Sequence, residues 1–409
     1  MVGDAVTLEI RIRQVAHSAA VPMRAFAWVC GQPLFFHNLH CLNCGSEAGY
    51  DPTSLVFGAV ASAEAGTSKR ADDTRDPAPR FRVCAHRSTA VACNWLIPAS
   101  DPSALCVSCR LTRTIPPLDR PKNAERLREI ETAKRRVLFA LEELGLPVDA
   151  NTAPDAPGLA FDFLESIPGE APVTTGHANG LITLNVAETD DDYREKNRES
   201  LREPYRTVLG HLRHELGHYY WDVLVRDGEW LAPFRQIFGD ERASYADALD
   251  RHYREGPPAD WGTRYISAYA SMHPWEDWAE TWAHFLHIRS TLETVTSYGL
   301  DTSRCVLRVT PFTRDVLDRH AGAAPDENFL EWINAWIVLT ATINEVARSM
   351  GQPDVYPFVL NGPAVTKLHF VSTVVASRQN APVPPPPRIA RGSRPARDSR
   401  LAPRRVTSS

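Results

Sequence analysis

Apolar residues recur at helical spacing over three long stretches of this chain. Leu127, Ile130, Val137, Leu138, Leu141 and Leu144 share one face of a helix that opens near Asp119-Arg120-Pro121 and stops at Gly145, ahead of Pro147. Val208, Leu209, Leu212 and Leu216 form a second stripe, in a helix opening at Glu203-Pro204, where proline suits the first turn. A third helix starts at Pro274 and carries Trp275, Trp278, Trp282 and Phe285. Two short runs, Leu159–Phe163 and Leu181–Val186, read as strands, the second reached through the turn pair Asn179-Gly180. Beyond residue 218 the pattern is mainly helical through Ala341–Glu345.

Many helices and few strands predict an α+β fold, with a mainly helical domain and a small sheet over residues 116–376. Residues 23–115 are loop-rich and cysteine-bearing, with a polar linker from Ala61 to Arg80. Residues 1–22 carry no motif and read as an unstructured extension, with Met23 an alternative start. The last segment, 377–409, is rich in proline and arginine and is expected to be disordered.

Charge sharpens that division. The net charge is −5, but the tail holds eight arginines against one aspartate, so the rest of the chain carries −12. Such a basic arm can contact nucleic acid or an acidic protein, although a solvated appendage has the same composition. The longest apolar stretch, Trp332 to Ile343, is interrupted by Asn334 and is too short to span a bilayer. Glu9, Arg11 and Arg13 stand where an export signal needs apolar residues, so the expectation is a cytoplasmic protein without membrane contact.

The second helix carries the chemistry, in the run His214-Glu215-Leu216-Gly217-His218. Residues four apart stack on one helix face, so both imidazoles reach a single ion while Glu215 addresses whatever binds beside it. This H-E-x-x-H arrangement is that of zinc peptidases, with the glutamate as general base. A catalytic zinc takes three protein ligands and leaves a position open. Trp221 and Leu224 exclude the continuation in which a third histidine follows nearby, so the third ligand lies farther on. The segment after Pro274 offers it. Glu276 ranks first, ahead of Glu280, with Asp277 and His284 behind; the carboxylate that does not bind metal is placed to orient a ligating histidine.

Seven of the eight cysteines precede residue 110, unlike the spread of a disulfide framework. Cys84, Cys93, Cys106 and Cys109 form a four-thiolate set ending in a C-x-x-C knuckle, as a closed structural zinc site requires. Cys30, Cys41 and Cys44 form a less complete set, because Ala27 stands where a leading cysteine belongs; His37 or His40 could be its fourth ligand. Cys305 is expected to be a buried apolar residue.

Together, Cys41-Leu-Asn-Cys44-Gly45, Cys93-Asn-Trp-Leu-Ile-Pro98, Cys106-Val-Ser-Cys109, Gly158-Leu-Ala-Phe-Asp-Phe163, the helix from His214 to Trp221, Phe238-Gly-Asp-Glu-Arg242 and His273-Pro-Trp-Glu-Asp-Trp-Ala-Glu280 resemble the bacterial zinc-binding metallopeptidases that carry an N-terminal zinc-ribbon region. The resemblance implies a zincin-like, gluzincin-type peptidase domain behind zinc-ribbon modules. The array ending in Glu280 is also similar to that of lethal-factor-type gluzincins. That similarity implies that Tyr269 donates to the oxyanion, Glu276 binds zinc and Glu280 supports it.

The expected protein is a peptidase with one catalytic zinc, one or two structural zincs and a peptide or protein substrate. The edge of the strand preceding the metal helix could pair with that peptide. The rival is a ribbon-based binding or adaptor protein whose peptidase domain is vestigial.

Overall fold

The N-terminal region is built from short strands because its apolar residues are spaced for sheets and turns rather than for helices. In the computed structural model, which describes residues 26–27, 30–62, 67–70, 78–151, 158–201, 205–305, 307, 309–317 and 327–379, β1 (Phe26–Ala27) pairs with β2 (Pro33–Leu34). An antiparallel five-stranded sheet follows in sequential order: β3 (Ala48–Asp51), β4 (Val56–Ser62), β5 (Ser68–Arg70), β6 (Phe81–Val83) and β7 (Leu96–Pro98). The stretch expected as a linker therefore contributes the end of β4 and all of β5, since Val60–Ser62 and Ser68–Arg70 hydrogen-bond as a ladder. A single turn, α1 (Val107–Arg110), leads into β8 (Thr112–Thr114).

The helical body opens with α2 (Asn123–Glu143). It begins two residues after Pro121, because Lys122 adopts a left-handed φ of 65° and turns the chain into the helix. It stops as expected at Gly145, also at positive φ. Then come β9 (Ala160–Leu164), β10 (Gly176–Ala178) and β11 (Leu181–Asn185). These join β8 in the order β10-β11-β9-β8, with β8, β9 and β11 parallel and β10 antiparallel. Asn179 and Gly180, both at positive φ, make the tight β10–β11 turn. The strand legible in the sequence, β11, is thus an interior strand. The edges belong to β8 and to β10, and the short polar run Gly176-His177-Ala178 of β10 did not advertise a strand.

Among the described residues seven further helices complete the fold: α3 (Asp191–Leu201), α4 (Val208–Leu224), α5 (Leu231–Ile237), α6 (Tyr245–Glu255), α7 (Pro274–Ser297), α8 (Glu327–Ser349) and α9 (Gly362–Gln379). The helix bearing the histidines starts later than Pro204 suggested. Thr207 is extended and its hydroxyl accepts from the Gly210 amide, so Val208 is the first helical residue. Pro204 itself lies outside the described residues. Helix α7 does begin at Pro274, where the His273 ring accepts from the Trp275 amide.

The core is continuous from the β-module into the helical body. Phe36 and Tyr50 pack on Phe139 of α2, with Trp95 against Tyr50, and Trp278, Trp282 and Phe285 bury α7 between α4 and α9. Helix α9 runs to Gln379, past the expected tail boundary at 377; the remainder of the tail and residues 1–22 lie outside the described residues. Cys305 is half-buried rather than buried, near the Thr342 hydroxyl. Among the described residues no helix is long and apolar enough to cross a membrane.

Candidate metal centre

Helices α4 and α7 cross so closely that one glycine decides their approach. Gly217 lies between the two histidines, and an added Cβ would sit 2.9 Å from Ala279 Cα of α7. Trp278 Nε1 donates to the Gly217 carbonyl at 2.9 Å, tying the helices at the same level. This contact carries the first turn of α7 to the face of α4 that presents His214 and His218.

There, His214 Nε2 lies 2.9 Å and His218 Nε2 3.5 Å from Glu276 Oε2. Three donors around a tetrahedral zinc with bonds of about 2.0–2.1 Å are separated by roughly 3.3 Å. Glu276 is 1% exposed, and its Oε2 accepts no aligned hydrogen bond despite its two ring neighbours. A buried carboxylate oxygen left in that state is costly unless a cation completes it. The residues present therefore fit a zinc ion.

The surroundings prepare the same three atoms. Glu280 Oε1 lies 2.7 Å from His214 Nδ1, and Glu280 Oε2 accepts from Ser267 Oγ at 2.6 Å. A carboxylate at Nδ1 fixes the proton there and leaves the Nε2 lone pair directed at the shared point. Burial opposes charge on His214, yet Glu276 and Glu280 outweigh it and hold the ring well above its ordinary pKa. The site favours positive charge, as a divalent cation would supply. Glu215 is 8% exposed, and its carboxyl is raised mainly by burial, with His214 and His218 pulling the other way. The Trp275 ring packs on His218 at 3.8 Å between centroids.

The other third-ligand candidates point away. Asp277 faces Lys367 of α9, with Oδ2 2.6 Å from Nζ, and His284 Nδ1 lies 2.6 Å from the Tyr356 hydroxyl. Tyr269 is at the site's margin, its ring 6.0 Å from that of His214. Tyr245, which no local spacing singled out because it lies 31 residues from its partner, donates to Glu276 Oε1 at 2.8 Å. His177 of the edge strand β10 is a further unanticipated neighbour, its ring 6.3 Å from His218. Burial holds its pKa down at about 3, so it is neutral at physiological pH, and its Nε2 accepts from the Gly180 amide.

The cysteine sets gather as two clusters. The sulfurs of Cys84, Cys93, Cys106 and Cys109 are buried and all lie within 4.8 Å of one another, with Cys93 and Cys106 3.5 Å apart. Cys84 comes from the end of β6, Cys93 from the loop before β7, and the knuckle from α1, whose cap is the Cys106 sulfur accepting from the Cys109 amide. Four thiolates around zinc at about 2.3 Å have separations of roughly 3.8 Å, so this set also fits. Cys30, Cys41 and Cys44 form a three-sulfur group, Cys30 and Cys41 being 3.6 Å apart, and neither His37 nor His40 joins it. Ala27 lies in β1, at the expected fourth position.

An α+β body with two histidines and a carboxylate converging on crossed helices, behind a thiolate-bearing β-module, defines the class of zinc-binding metallopeptidases with a zinc ribbon. Residues 123–374 match the family described as "Putative zinc-binding metallo-peptidase", residues 26–120 match a zinc-ribbon domain, and this chain belongs to that metallopeptidase family. Proteins of Mycobacterium tuberculosis and Mycobacterium bovis, each described as uncharacterized, are 41% identical over 347 residues, which is 85% of this chain and 93% of each relative. No solved structure matches.

Proposed function

We propose that this chain is a gluzincin-type peptidase that cleaves extended peptides, with His214, His218 and Glu276 as zinc ligands and Glu215 as general base. The observation that carries the reading is the convergence of two imidazole nitrogens and one carboxylate oxygen on a common point beside a second buried carboxylate, Glu215. When bound, zinc polarises the scissile carbonyl and acidifies water. Glu215, buried beside both histidines, takes the proton of the attacking water and returns it to the leaving amine. Glu280 holds the His214 ring, and Tyr269 is the neutral phenol available to the oxyanion.

Substrate class follows from β10. Its outer edge is unpaired among the described strands, and His177 brings that edge alongside His218 and Trp275. A peptide added there as a strand would lie across the site with its backbone hydrogen-bonded. The four-thiolate cluster is assigned structural zinc.

The test is Glu215→Gln, assayed on a library of peptides alongside metal analysis. The variant keeps its zinc and loses about 10²–10⁴-fold in turnover, the size of a general-base contribution. A variant as fast as the parent would overturn the assignment.

A further inference from the structure

The third ligand has its own support, supplied from another helix. Tyr245 is the first residue of α6, and although it is 37% exposed its hydroxyl turns inward to donate to Glu276 Oε1 at 2.8 Å. The Tyr245 ring is wedged edge-on against His273 and Trp275, at centroid distances of 5.4 and 6.1 Å, which flank the start of α7. Tyr269, whose side chain neighbours that of Tyr245, is held between His214 and His252, with ring centroids 6.0 and 5.7 Å away.

The Tyr245 hydrogen bond divides the labour of one carboxylate. Glu276 Oε1 is occupied by Tyr245, whereas Oε2 faces the two histidine nitrogens without an aligned hydrogen bond. A glutamate side chain free to rotate would offer either oxygen, or both, to an ion. Satisfying one oxygen leaves the other as the sole donor, and the hydrogen bond withdraws electron density from the carboxylate, which sharpens the Lewis acidity of whatever it binds.

We propose that Tyr245 is the positioning residue for Glu276, selecting Oε2 as the single metal donor. The proposal rests on the ligand assignment above.

The experiment reads metal rather than turnover. Zinc affinity is measured by chelator competition in the parent and Tyr245→Phe. The visible spectrum of the cobalt-substituted proteins is recorded as a difference against His214→Ala, which removes the thiolate-site contribution. Tyr245→Phe lowers zinc affinity at the histidine site about 10–100-fold, the range for partners that hold a metal ligand, and changes the cobalt bands while the thiolate-bound zinc stays. Parental affinity and spectrum in Tyr245→Phe would overturn the proposal. So would a parent whose metal content is unchanged by His214→Ala. A parent that binds zinc here but cleaves no peptide sinks the peptidase reading and leaves this one standing.

Discussion

Gly217→Ala tests whether the close crossing of α4 and α7 builds the site. On propensity alone the change favours the helix by about 1 kcal/mol. In place, the new methyl carbon meets Ala279 Cα at 2.9 Å and both Ala279 O and Trp282 Cβ at 3.2 Å. Carbon–carbon contacts settle at about 3.5–4.0 Å, so the helices must part by about 0.5 Å or more, against backbone that has no rotamer to yield. Overpacking of that kind costs about 1–3 kcal/mol, leaving a net loss of up to about 2 kcal/mol in the metal-free protein. The larger effect falls on zinc. Ala279 lies three residues after Glu276 and one before Glu280, so displacing it moves the third ligand and the carboxylate that orients His214 together. Metal sites tolerate distance errors of only about 0.2 Å. The expected loss in zinc affinity is at least 10-fold, measured by chelator competition, with the zinc-dependent rise in melting temperature shrinking accordingly. A variant that melts higher without metal and binds zinc as tightly as the parent would refute the reasoning, since only the propensity gain would then be visible.

The join between the β-module and the helical body is expected to be pH-dependent. Tyr50 donates to Glu142 Oε2 of α2 at 2.7 Å, and burial pushes Glu142 up to about 7 from its ordinary 4.5, against the opposing effect of that bond. The folded state therefore binds the extra proton, so stability is highest below about pH 4.5 and falls as pH rises to about 7, by at most about 3 kcal/mol. Glu142→Gln keeps the Tyr50 bond, flattens that slope and raises the melting temperature at pH 8; an unchanged slope in thermal scans from pH 5 to 8 would count against it. On the opposite side of the site, Lys367→Met strands Asp277, which is fully buried and 2.6 Å from the lost ammonium. Removing one partner of a buried pair costs about 3–5 kcal/mol, and adding Asp277→Asn recovers most of it. Urea denaturation measures both, and a neutral single variant would show that the pair holds α9 to α7 weakly.

Local periods were legible in the chain; distant meetings were not. The 3.6-residue repeat of Val208, Leu212 and Leu216 oriented His214 and His218 toward the core, because helical geometry is fixed within a few residues. Pro274 marked the first turn of α7 for an equally local reason. The start of α4 was misread because a single side-chain bond, Thr207 to the Gly210 amide, decides a helix terminus that proline only permits. The exposed edge was misread because strand order depends on pairing: Leu181–Asn185 carries the stronger pattern, and Gly176–Ala178 takes the outer position.

Spacing in the sequence thus determined the chemical vocabulary of this protein: two imidazoles on one helix face, acids a turn apart on another, and thiolates in knuckles. Tertiary packing alone decided which acid meets the imidazoles, why Gly217 must be small, and that Tyr245 reaches Glu276 across 31 residues. The reason is physical. A helix specifies its own faces through bonds between near neighbours, whereas the distance between two helices is set by the side chains that happen to lie between them.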